Sequence, residues 1–100
     1  MPPPVDYHYL ADREIIRAHA RYIRDGGATV GNKFLVAMDQ AIHRVSSMPK
    51  SCSPHLVGTR MARVPGFRHW VVFIEESHRI LIVSLMHSSR RPGYWRRRLP

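Results

Sequence analysis

The chain is poor in cysteine, in acidic residues and in long apolar runs. Cys52 is its sole cysteine, which excludes an internal disulfide and gives no hint of an oxidising compartment. No stretch approaches the roughly 18–20 apolar residues needed to span a membrane. The opening "MPPPVDYHYL" lacks the basic start and apolar core of a secretion signal, so the expected location is cytoplasmic, away from membranes. Missing motifs exclude further classes. Seven histidines are scattered without HExxH, CxxC or other paired spacing, so no metal is expected. "RDGGATVG" has neither the lysine nor the preceding strand of a phosphate-binding P-loop, and no cofactor is implied.

What is present is arginine. Sixteen Lys plus Arg stand against seven Asp plus Glu, a net charge of +9, and the only lysines are Lys33 and Lys50. Such a surplus points to a polyanion or an acidic protein as partner, and the planar guanidinium suits paired contacts with phosphate or carboxylate. One hundred residues form a single domain, 1–100, with a disordered proline-rich lead at 1–4 and a basic tail at 96–100.

Periodicity supplies the elements. Residues 5–10, "VDYHYL", alternate apolar and polar side chains as a short strand does. "ADREIIRAHARYIRDGG" repeats Ile15, Ile16, His19, Tyr22 and Ile23 at helical spacing and ends on paired glycines. Thr29 reads as the N-cap of a second helix, whose stripe runs through Val30, Phe34, Ala37, Met38, Ala41, Ile42 and Val45. Phe34, Met38 and Trp70 read as core. "TRMARV", "FRHWVVFIEE" and "RILIVSLMH" form an antiparallel meander. The expected fold is α+β: an N-terminal strand, an antiparallel helical hairpin on a small antiparallel sheet, and a basic C-terminal tail.

Two groups of side chains carry candidate chemistry. Arg60 lies on the first meander strand. His87 ends the last one, where it continues the parity of Leu81, Val83 and Leu85, with Arg90 and Tyr94 following. A histidine beside arginines at a strand end suits acid–base work near neutral pH. The second group, Arg90, Arg91, Trp95, Arg96, Arg97 and Arg98, suits an exposed charged and aromatic contact surface. For Trp95 the favoured reading is an anchor folded back on the sheet.

The layout resembles the RelE/ParE superfamily of bacterial type II toxin–antitoxin toxins, and its ParE-like branch more specifically. The resemblance rests on "YLADREIIRAHARYI", "FLVAMDQAIHRVSSMPKSC" and "GTRMARVPGFRHWVVFIEESHRILIVSLMHSSRRPGYW", and covers roughly residues 5 to 98. It implies a cognate antitoxin wrapped on the toxin, and operator DNA contacted chiefly through that antitoxin. It also implies one of two targets. ParE-like members bind DNA gyrase and inhibit it, with Arg90, Arg91 and residues 95–98 as the expected contact surface. RelE-like members cleave mRNA on the ribosome, for which Arg60, His87, Arg90 and Tyr94 would be the catalytic set. The tail "HSSRRPGYW" resembles the ParE-like branch. The scarcity of lysine, and the position of Glu75 and Glu76 at a turn, argue against the nuclease.

Overall fold

The computed structural model describes residues 2–100. Strand β1, Val5–Tyr7, is shorter than the alternation suggested, because His8 turns the chain into a helix. The His8 Nδ1 accepts the Leu10 N–H at 3.1 Å and so serves one of the helix's unpaired donors. One helical stretch, Tyr9–Ser47, is broken at Gly27, whose φ of 80° and ψ of −179° lie outside the helical region. This glycine divides it into α1, residues 9–26, and α2, residues 28–47, so the second helix starts ahead of Thr29.

The break reverses the chain. A Cβ built on Gly31 would lie 2.5 Å from Ile23 Cγ1 and 3.4 Å from His19 Nε2. A straight helix would place residues 19 and 31 about 18 Å apart. Helix α2 therefore folds back on α1, and only glycine allows this approach. The buried side of α1 runs through Ala11, Ile15, Ala18 and Tyr22, whereas Ile16 and Ile23 are exposed.

After α2 come a short turn at Pro49–Ser51, β2 (Ser53–Pro54), β3 (Arg60–Arg63), β4 (His69–Glu75) and β5 (Ile80–His87). The sheet order is β1-β5-β4-β3-β2, with β1 parallel to β5 and the other neighbours antiparallel. The two-residue strand β2 and the parallel placement of β1 add to the expected meander.

On one face of the sheet, Phe34, Ala37, Met38, Ala41 and Val45 of α2 pack on Val71, Phe73, Ile80 and Ile82. Burying each large side chain contributes about 1.5–3 kcal/mol. The opposite face carries Val72, Leu81, Val83 and Met86, covered by Trp95 from the C-terminal segment. Trp70 belongs to this second face, half-buried, with the Arg63 guanidinium 5.6 Å from its ring centroid.

The pairing of β4 with β5 slips by one residue between Val72 and Phe73. Val72 opposes Ser84 and Phe73 opposes Ile82, leaving Val83 as the extra residue of a bulge. A bulge inverts side-chain parity beyond it. Leu85 thus joins the helix-side core while Leu81 and Val83 face the other way. His87, expected on the face of Leu81 and Val83, is carried instead to the helix side.

Candidate functional site

Strand β1 protects the edge of β5 only through its register with Ile80, Leu81 and Ile82, completed by a His8 N–H to Ile82 carbonyl bond of 2.9 Å. Beyond it, backbone groups of β5 need other partners. Glu14, on the first turns of α1, accepts the Leu85 N–H at 3.2 Å. Arg98 donates from Nη1 to the Val83 carbonyl at 3.1 Å. The two side chains also pair with each other, Arg98 Nη1 to Glu14 Oε1 at 2.7 Å and Nη2 to Oε2 at 3.3 Å.

Tyr94 completes this clasp. Its hydroxyl donates to Glu14 Oε2 at 2.6 Å and lies 2.7 Å from the Ser84 hydroxyl, which itself reaches Glu14 Oε1 at 3.2 Å. Burial, then the bond to Glu14, pushes the phenol up to about 12. It therefore stays protonated and committed to Glu14. The Arg98 side chain is 12% exposed and Trp95 is fully buried, its ring 5.7 Å from that of His55.

Two residues of the expected contact surface, Trp95 and Arg98, are accordingly structural. The neighbouring apolar face draws the indole in, and Glu14 neutralises the guanidinium. Tail residues 96–98 form a short 3-10 turn over the sheet edge, and Arg90, Arg91, Arg96 and Arg97 remain exposed.

The other expected set does not assemble. Arg60 pairs in register with Phe73, whereas His87 pairs with His69, four residues along β4. That offset is about 13 Å along the sheet. Arg60 is bonded to the Cys52 carbonyl at 3.0 Å and lies 3.9 Å from Glu75. His87, Arg90 and Tyr94 do meet, at the other end of the sheet.

They border a cleft of about 300 Å³ between α1 and the end of β5, with Arg17, Arg21 and His69 also on its walls. His87 Nδ1 accepts the Ser89 N–H at 3.0 Å and lies 2.7 Å from its hydroxyl, so the neutral ring carries its proton on Nε2. The His69 ring is 5.0 Å from that of His87, and its Nε2 is 3.1 Å from the Tyr22 hydroxyl. Burial above all, with His87 and Arg21 adding repulsion, lowers the His69 imidazole to about 4. The Arg90 guanidinium stacks 4.0 Å from the Tyr94 ring centroid. Glu14 could not be picked out from the sequence as a functional or structural hub. Its one signal was scarcity, as one of seven acids in a very basic chain.

A wider groove of about 620 Å³ runs between α2 and the β3–β4 turn, past Lys33, Val36, Gln40 and Phe67. Among the described residues, no three His, Cys, Asp or Glu side chains gather closely enough to hold a metal ion. Among the same residues, no helix is long and apolar enough to cross a membrane.

Such a fold, a helical hairpin on a five-stranded sheet with a clasped basic tail, defines a small α+β domain. Its family follows from comparison. The family described as the ParE toxin of the type II toxin–antitoxin system, parDE, matches residues 5–92, and the chain belongs to it. No curated protein sequence matches it significantly. Among solved structures, it is similar to the chromosomal ParDE toxin–antitoxin system from P. aeruginosa. The TM-score is 0.74 at 10% identity, covering 85% of this chain and 95% of that one. That likeness establishes a shared fold. The chain is thus a ParE-family toxin of the RelE/ParE superfamily.

Proposed function

We propose that this toxin inhibits DNA gyrase by binding it, and that it has no nuclease activity of its own. The observation carrying this reading is the separation of Arg60 from His87, with Tyr94 locked onto Glu14. Cleavage by 2′-hydroxyl attack needs a base, a phosphate cation and a leaving-group acid gathered around one phosphate. Here the strand arginine lies at the far end of the sheet, and the phenol's proton is held by a carboxylate.

Inhibition by contact needs only an exposed surface, which Arg90, Arg91, Arg96 and Arg97 supply on a rigid scaffold. A cognate antitoxin would neutralise the toxin with an acidic segment laid on it, and operator DNA would be reached through that antitoxin. The groove beside Val36, with exposed Leu35 nearby, suits such a segment's apolar residues. The proposed setting is the cytoplasm.

The deciding experiment assays the purified chain in gyrase supercoiling and, in parallel, in mRNA cleavage on translating ribosomes. Loss of supercoiling with intact mRNA supports the proposal. Positioned mRNA cuts with normal supercoiling would replace it with the RelE-like nuclease reading.

A further inference from the structure

The cleft between α1 and the end of β5 shares only Arg90 with the proposed contact surface, and it is chemically organised. Arg17 and Arg21 are one helical turn apart and share one side of α1. Arg90 faces them from the segment after β5, held in place by its stack on Tyr94. Among the described residues, none of the three forms a salt bridge, whereas Arg24, Arg60, Arg79 and Arg98 all lie near carboxylates. The one acid on the cleft wall, Glu14, is committed to Arg98, Tyr94, Ser84 and the Leu85 N–H. Three guanidiniums thus converge without an internal counter-charge.

A second observation is independent of charge. His69 borders the cleft at 8% exposure, and its Nδ1 is buried with no hydrogen-bond partner. An unpaired buried polar atom costs about 1–3 kcal/mol, and this one lies sealed beneath the cleft wall rather than open to it. When Tyr22 donates to Nε2, the ring proton sits on Nδ1 and is a donor without an acceptor. His87 presents a second donor at Nε2, because its Nδ1 is occupied by Ser89.

We propose that this cleft is a binding site for a phosphate group. The donors fit phosphate better than carboxylate. Guanidiniums from two walls and the His87 N–H approach from different directions, which suits a tetrahedral anion with three or four oxygens. The volume lies at the lower end of ligand pockets, room for a phosphate with little attached. The phosphate could be free in solution or the end of a nucleic acid strand, since the cleft chemistry is common to both.

The inference shares Arg90 with the gyrase reading, and its test reads phosphate binding rather than toxicity, so that either can fail without the other. The full chain, labelled with ¹⁵N, is titrated with inorganic phosphate at constant ionic strength while the histidine and arginine side-chain resonances are followed. Saturable shifts at His69, His87 and Arg90 are expected. Arg21→Gln and Arg90→Gln should each weaken binding about tenfold, the loss of one charge-assisted bond. Arg24→Gln, outside the cleft, should change it less than about twofold by the same measure. Shifts that never saturate, or an equal loss in Arg24→Gln, would overturn the site. Should Arg90→Gln melt without cooperativity, Arg21→Gln, on an exposed helix face, decides alone.

A second arm compares oligonucleotides bearing a 5′-phosphate or a 5′-hydroxyl. Tighter, Arg21-dependent binding of the phosphorylated strand than of inorganic phosphate assigns the site to strand ends. Inorganic phosphate bound as tightly assigns it to the free ion.

Discussion

The two faces of the sheet are covered by different means. On the helix side, five α2 side chains press onto four strand residues in a continuous apolar layer. On the other side, the indole of Trp95 from a short tail is buried on the strands with Tyr94 and Leu99 beside it, the tail held down by an ionic clasp with Glu14. The first arrangement depends on a repeat along one helix. The second depends on Glu14 and Tyr94, which are 80 positions apart, meeting at the edge of β5. The comparison teaches that an arginine-rich tail can be part of the fold at one residue and free at the next.

The strongest challenge to this contrast compares the two faces directly. Trp95→Ala and Phe34→Ala should each cost about 3–5 kcal/mol of stability, measured by urea unfolding. A loss under about 1 kcal/mol for Trp95→Ala would reduce the tail to dispensable cover. Next comes the clasp. Glu14→Gln leaves Arg98 half-satisfied in a largely buried place and should cost about 2–3 kcal/mol, less than a fully buried pair would. If that variant unfolds like the wild type, the tail is held by its indole alone.

The third prediction concerns pH. Because His69 is lowered from 6.5 to about 4, the unfolded chain takes up a proton in that window that the folded chain refuses. Stability is therefore whole above pH 6.5 and is lost as pH falls toward 4. The loss from this group should be about 2 kcal/mol between pH 7.5 and 5. It is read as the difference between the wild type and His69→Gln, whose profile should be flatter by that amount. Parallel profiles would mean that the ring is protonated in the folded state.

The smallest effect on stability belongs to the outward arginines. Arg96→Ala and Arg97→Ala should shift unfolding by less than about 0.5 kcal/mol. On the gyrase reading they should still weaken inhibition of supercoiling. Equal destabilisation by Arg97→Ala and Arg98→Ala would erase the distinction between clasped and free guanidiniums.

Much of the helix side was legible from the chain. The stripe through Phe34, Ala37, Met38, Ala41 and Val45 states its period directly, and all five side chains are buried. The paired glycines located the reversal, though not that Gly27 alone breaks the helix. The α1 stripe was misread at Ile16 and Ile23, because hydrophobic identity stood in for position while the small Ala11 and Ala18 do the packing. The face of His87 was misread for another reason. "RILIVSLMH" contains no glycine or proline to announce a bulge, its single Ser84 fits a regular strand as well, and one extra residue at Val83 inverts everything after it. The clasp was invisible because it is a tertiary pairing. Nothing near Glu14 in sequence distinguishes a hub carboxylate from a solvated one.

The Glu14–Arg98 clasp also bears on how this toxin can be handled at the bench. A fluorophore, affinity handle or reporter fused just after Arg98 would press against the lid of the sheet. One joined just before Val5 would crowd the Ile80 N–H bond to the Pro4 carbonyl. The exposed bend at Gly26–Thr29 takes part in neither contact, and labels introduced there should leave the molecule intact.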